Sequence, residues 1–129
     1  MIALTKETIE KAASWWAGKL IDNQPHSNGD LGFSSVVECF LADAARQDVT
    51  LDQLNIFKKI LEKLIGEAAK ENILGISIEC DYRPCKMLEV AAKEAGISTA
   101  NFPFKTMMFL SEKEGVVVRD GYGAPFTRI

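Results

Sequence analysis

Residues 105–119 read KTMMFLSEKEGVVVR, and this stretch decides the fold. Two apolar runs flank a polar turn whose Gly115 is free to adopt positive φ. The runs predict strands over 105–110 and 116–119, joined as a hairpin. Further upstream, residues 74–82 alternate apolar and polar side chains, the pattern of a half-buried strand. The sequence therefore predicts a small, mostly antiparallel sheet of three strands.

Helical periodicity accounts for most of the remaining chain. Thr5 and Thr50 are expected N-caps, Pro84 is expected at the first position of a helix, and Gly96 is expected just beyond that helix's end. Four helices are predicted, over residues 6–21, up to about residue 46, over 51–70 and over 84–95. Residues 1–129 are thus expected to form one α+β domain with about four helices packed on the sheet.

Composition excludes several classes of function. The net charge is -3, and no cluster of Lys and Arg provides the phosphate-neutralising surface that direct nucleic-acid binding requires. No apolar stretch is long enough to span a membrane, and the first residues do not form a secretion signal. Three scattered cysteines favour a reducing compartment, so we expect a cytoplasmic protein.

Residues 21–53 are acidic. They contain six acids and a single arginine, Arg46, for a local charge of -5. A solvated, solubilising face is one interpretation. The other is a surface that attracts a protein partner with a basic surface, with Asp43, Asp48 and Asp52 contributing.

Residues capable of catalysis are few and far apart in the sequence. Cys85 lies at the N-terminus of a predicted helix whose dipole can lower a thiol pKa, His26 is the only histidine, and Asp81 lies at a strand end. Structural roles account for each of them better: a residue at a helix start, a histidine in a solvated loop and an aspartate at a turn or N-cap. The cysteine spacing lacks the paired motifs of a zinc site, so neither a metal nor a cofactor is expected. We therefore expect no enzymatic activity, and a small cysteine- or carboxylate-dependent enzyme is the least favoured alternative.

Aromatic residues are the main candidates for binding. Trp16 falls on the core stripe of the first helix, which leaves Trp15 at its edge, and Tyr122 and Phe126 follow the last predicted strand in a glycine-rich segment. The expected partner-binding residues are Trp15, Asp43, Asp48, Asp52, Tyr122 and Phe126. An alternative set for a nucleotide ligand consists of Tyr82, Arg83, Lys105, Tyr122 and Arg128.

Several short motifs together carry a resemblance. They are Trp15-Trp16, Asp81-Tyr82-x-Pro84, Ala95-Gly96-Ile97, residues 102–106 and residues 121–125. In these features the chain resembles small orphan proteins of phages and prophages of Gram-positive bacteria, the pool that includes anti-CRISPR and other anti-defence inhibitors. The resemblance implies a phage-type inhibitor that occludes a bacterial defence protein. The alternative is a nucleotide-signal binding protein or sponge. A homodimer is expected, because a small sheet leaves edges and a face to cover.

Overall fold

The computed structural model describes residues 3–21, 49–72, 74–81, 83–121 and 123–129, and it confirms the α+β class. The helix predicted to end at about residue 46 lies outside these ranges. The described elements are α1 (Lys6–Leu20), α2 (Leu51–Glu71), β1 (Ile76–Cys80), α3 (Lys86–Ala95), a 3-10 turn (Thr99–Asn101), β2 (Thr106–Ser111), β3 (Gly115–Asp120) and β4 (Thr127–Arg128).

Most predicted helix ends are confirmed. The Thr5 hydroxyl accepts a hydrogen bond from the Thr8 amide at 3.1 Å, which caps α1. Thr50 and Gln53 form the capping box of α2, each side chain accepting from the other residue's amide. Gly96 ends α3 with a φ of 72°, the left-handed conformation that glycine adopts without a Cβ penalty.

The predicted start of α3 is wrong. The helix begins at Lys86 with Cys85 as N-cap, so Pro84 does not occupy its first position. Instead, Pro84 pairs with Cys80 in an isolated antiparallel bridge. The Cys85 amide donates to the Glu79 carbonyl at 2.9 Å, and this bond keeps the chain extended beyond the position where proline would favour a helix.

The sheet is an antiparallel meander in the order β1-β2-β3-β4. Gly115 has the positive φ that was expected for the turn of the β2–β3 hairpin. The prediction of three strands is wrong, because β4 pairs Thr127 with Val118 and Arg128 with Val117. A two-residue strand is too short to show an alternating pattern, so sequence periodicity cannot reveal it.

The register gives the sheet two distinct faces. The inner face is buried under the helices and carries Ile76, Ile78, Cys80, Thr106, Met108, Leu110, Val116 and Val118. The outer face carries the alternate residues of the strands, together with the residue that precedes β4. These are Ser77, Glu79, Met107, Phe109, Val117, Arg119, Phe126 and Arg128.

The three described helices form one layer, in which α2 lies between α1 and α3. Phe102 lies at the centre of this layer, with its ring centroid 6.3 Å from Trp16 of α1 and 6.0 Å from Phe57 of α2. All three rings are buried, so truncating any one of them should cost about 3–5 kcal/mol of stability. The neighbouring Asn101 side chain donates to the Leu20 carbonyl at 3.4 Å, at the end of α1.

A glycine substitution tests the packing of the outer face. A Cβ at Gly75 would lie 2.3 Å from the tip of the Phe109 ring and 2.9 Å from the Leu110 carbonyl oxygen. We expect Gly75→Ala to lower the free energy of unfolding by about 1–3 kcal/mol, measured by urea denaturation. Gly18→Ala is the matched control, because open space surrounds Gly18 in helix α1. The control should stabilise the chain by about 0.5–1 kcal/mol, and equal effects of the two variants would contradict the packing described.

Candidate interaction site

One end of the sheet gathers three chain connections. The Lys105 amide donates to the Asp81 carbonyl at 3.0 Å, and the Gly121 amide donates to the Lys105 carbonyl at 2.8 Å. These bonds extend the ladder one step beyond the strands and join the segments that follow β1, precede β2 and follow β3. We call this region, made of Asp81, Arg83, Lys105, Asp120 and Gly121, the loop end.

Lys105 has an unusual backbone conformation at the centre of the loop end. Its φ is 55°, and it is the one non-glycine residue with positive φ among the described ranges. The left-handed conformation costs an L-residue with a Cβ about 1–2 kcal/mol. The backbone hydrogen bonds on both sides of Lys105 hold it there. Such strain is concentrated at functional sites in proteins, so this end of the sheet is a candidate functional site.

Trp15 lies at the rim of the loop end. It is half-buried, with the Lys19 ammonium 4.9 Å from its ring centroid. Lys19 in turn forms a 2.9 Å salt bridge with Asp120, the last residue of β3. On its other side the ring packs edge-on against Trp16, with centroids 5.0 Å apart. Trp16 is fully buried, so the predicted division between a core tryptophan and an edge tryptophan is confirmed.

The structure brings together residues from both predicted sets. Trp15 comes from the partner-binding set, and Arg83 and Lys105 come from the ligand-binding set. Arg83 is exposed and Lys105 is half-buried. Tyr82 and Tyr122 lie outside the described residues, although their chain neighbours belong to the loop end.

Other predicted residues lie elsewhere. Arg128 forms a 2.7 Å salt bridge with Glu114 of the β2–β3 turn, at the opposite end of the sheet, so its placement in one ligand site with Lys105 is wrong. Phe126 is 48% exposed on the outer face, where the Arg119 guanidinium lies 4.9 Å from its ring centroid. Asp52 is exposed in the first turn of α2. Asp43 and Asp48 lie outside the described residues.

Sequence reasoning missed Lys19 and Asp120. The two residues are 101 positions apart, and neither belongs to a motif. Lys19 had one weak signal, since it follows Trp15 by four positions and therefore lies on the same side of a helix. Nothing in the sequence relates Asp120 to that helix, because the contact depends on how α1 crosses β3.

Cys80 and Cys85 lie in, or pack against, the core of the described chain. Cys80 is 1% exposed, and burial, followed by the neighbouring Cys85 and Asp81, raises the pKa of its thiol to about 12. Cys85 is half-buried and packs against the core. No group of three metal-binding side chains occurs within the described ranges, and none of the helices seen there has the length and apolarity needed to cross a bilayer. His26 and Cys39 lie outside these ranges.

The raised pKa of Cys80 predicts a pH dependence of stability. Above about pH 9 the unfolded chain loses this proton while the folded chain keeps it up to about pH 12. The free energy of unfolding should therefore fall across this window, by up to about 1.4 kcal/mol per pH unit. Cys80→Ala removes this contribution, so urea denaturation should show the stability gap between the wild type and the variant narrowing as pH rises. A difference in unfolding free energy between the wild type and Cys80→Ala that stays constant with pH would show that the Cys80 thiol is not buried as described.

Comparison with known proteins adds no relative. No protein-family model matches the chain, and no curated protein sequence is significantly similar to it. The function is therefore inferred from the geometry of the loop end and of the outer face. Both surfaces carry residues of the two predicted binding sets: Trp15, Arg83 and Lys105 at the loop end, and Phe126 and Arg128 on the outer face.

Proposed function

We propose that this chain is a non-enzymatic binding protein that acts by covering part of a protein partner's surface with its loop end. The observation that carries the proposal is the position of Trp15, a large aromatic ring at the rim of the loop end. The Lys19 ammonium lies over this ring and is itself paired with Asp120. The concrete version is a phage-type inhibitor that occludes a bacterial defence protein, as the resemblance implies.

The Trp15 side chain is pre-organised for binding. Tryptophan is enriched among the few interface residues that carry most of the binding energy. A flexible side chain loses rotamer entropy when a partner immobilises it, at a cost of about 0.5–1.5 kcal/mol. Trp15 is already restrained by the edge-on contact with Trp16 and by the lysine over its face. It can therefore serve as an anchor with little further loss of freedom.

Charge supports a partner with a basic surface. At the loop end, Asp81 and Asp120 lie beside the cations Lys19, Arg83 and Lys105. The acidic stretch at residues 21–53, in contrast, carries a local charge of -5. Complementary charge of this kind raises the association rate more than it raises the affinity. Binding is accordingly expected to form more slowly at high salt, while the apolar contact of Trp15 persists.

The test is a phage-plaquing assay in bacteria that carry a defined defence system, with CRISPR immunity first. The wild-type chain should restore plaques against at least one system. Trp15→Ala should abolish this rescue, since loss of a hot-spot residue weakens binding by about 2 kcal/mol or more, roughly thirtyfold. Lys6→Ala is the matched control, because Lys6 is exposed in the first turn of the same helix. Rescue that survives Trp15→Ala, with the variant folded, would contradict the proposal.

A nucleotide-signal binding protein is the second candidate. The strained backbone of Lys105 and the nearby Arg83 place two cationic side chains at the loop end. Cyclic and ADP-ribose-type nucleotides at a hundredfold excess over Kd should then stabilise the fold by about 2.7 kcal/mol. A rise in thermal midpoint that disappears in Arg83→Ala would favour this function. A rise that persists in Arg83→Ala, or the absence of any rise, would count against it.

A further inference from the structure

We propose that the outer face of the sheet binds a second copy of this chain in a two-fold dimer. The strand registers carry this inference, because they place an acidic residue at one side of the face and two arginines at the other. The proposal goes beyond the partner-binding function, which uses the loop end. The two can therefore succeed or fail separately.

The centre of the outer face is apolar. Met107, Phe109 and Val117 are partly exposed on β2 and β3, and Phe126 beside them is 48% exposed. None of these four belongs to the buried core or packs against it. The core that α1, α2 and α3 share with the sheet lies on the inner face, so these helices do not cover the apolar centre.

Charge is divided across this face. Glu79 lies on β1 at one edge of the sheet and is exposed. Arg119 on β3 and Arg128 on β4 lie towards the other edge, where Arg128 also pairs with Glu114 of the β2–β3 turn. Two identical faces of this kind complement each other only when the β1 edge of one copy lies over the β4 edge of the other.

The separation of opposite charges across the outer face favours one of the two possible two-fold axes over the other. A two-fold axis parallel to the strands places β1 over the second copy's β4, so Glu79 lies over the second copy's Phe126, one strand from its Arg119 and two residues along β4 from its Arg128. It also places the apolar centre over its own equivalent, as in aligned sheet packing. An axis perpendicular to the strands would instead place β4 over β4 and β1 over β1. That arrangement opposes arginines with arginines and Glu79 with Glu79, which disfavours it.

The size of the face sets the expected strength. Three strands of five or six residues, with the two-residue β4 at one edge, present a surface of roughly 20 Å by 20 Å at most. Such an interface belongs to the small class, below about 1,200 Å² in total, which is typical of transient association. We therefore expect a dimer that dissociates on dilution, with Kd on the order of micromolar.

The test is sedimentation equilibrium of the full chain over a range of concentrations. The wild type should show a reversible monomer–dimer equilibrium. Glu79→Arg and Arg128→Glu should each weaken it at least tenfold, because each brings like charges near one another. Glu94→Arg is the matched control, since Glu94 is exposed on α3, in the helix layer, and the variant should dimerise like the wild type.

Charge reversal provides the decisive comparison. The double variant Glu79→Arg/Arg128→Glu should recover dimerisation, and an equimolar mixture of the two single variants should form a heterodimer that native mass spectrometry resolves by mass. Circular dichroism confirms that each variant is folded. A wild type that stays monomeric up to about millimolar concentration would overturn the proposal. So would a dimer that both single reversals leave intact, or a folded double variant that fails to recover.

Discussion

The contact of Phe102 with Trp16 and Phe57 is the packing interaction on which the rest of the structure depends. Phe102 belongs to the irregular segment between α3 and β2, yet its ring lies between a tryptophan of α1 and a phenylalanine of α2. It therefore fixes the helix layer and the path of the chain into β2 at the same time. Because Trp16 is committed to this contact, the adjacent Trp15 is left at the surface, and the loop end gains its aromatic rim.

Local chemistry was predictable from the sequence, while contacts between distant segments were not. Thr50, Gln53 and Gly96 act through bonds within a few residues, so their roles can be read from spacing. The alternation in β1 is likewise a local signal of a one-sided strand. Pro84 failed as a helix start because a hydrogen bond from the next residue, Cys85, to Glu79 overrides its local preference.

In the candidate site, too, the types of residue were predictable from the sequence, while the contacts between distant segments were not. The sequence placed Trp15 in one candidate set and Arg83 with Lys105 in the other; the backbone bonds of the loop end and the Lys19–Asp120 contact bring them to one end of the sheet. Arg128 has the cationic side chain expected of the same ligand site, but the direction of β4 places it at the opposite end of the sheet, beside Glu114. The type of residue could be predicted from the sequence; its position relative to the others depends on topology, which no single segment encodes.

The two ends of the sheet are held together by different forces. At the turn end, Glu112 accepts from the Ala3 amide and Glu114 pairs with Arg128, and all of these groups are exposed. At the loop end, backbone amides and carbonyls join Asp81, Lys105 and Gly121, and a salt bridge between Lys19 and Asp120 lies beside these bonds. Dissolved ions screen exposed charges but have little effect on neutral peptide groups. Rising ionic strength should therefore loosen the end that carries the first and last residues of the described chain while the loop end keeps its shape.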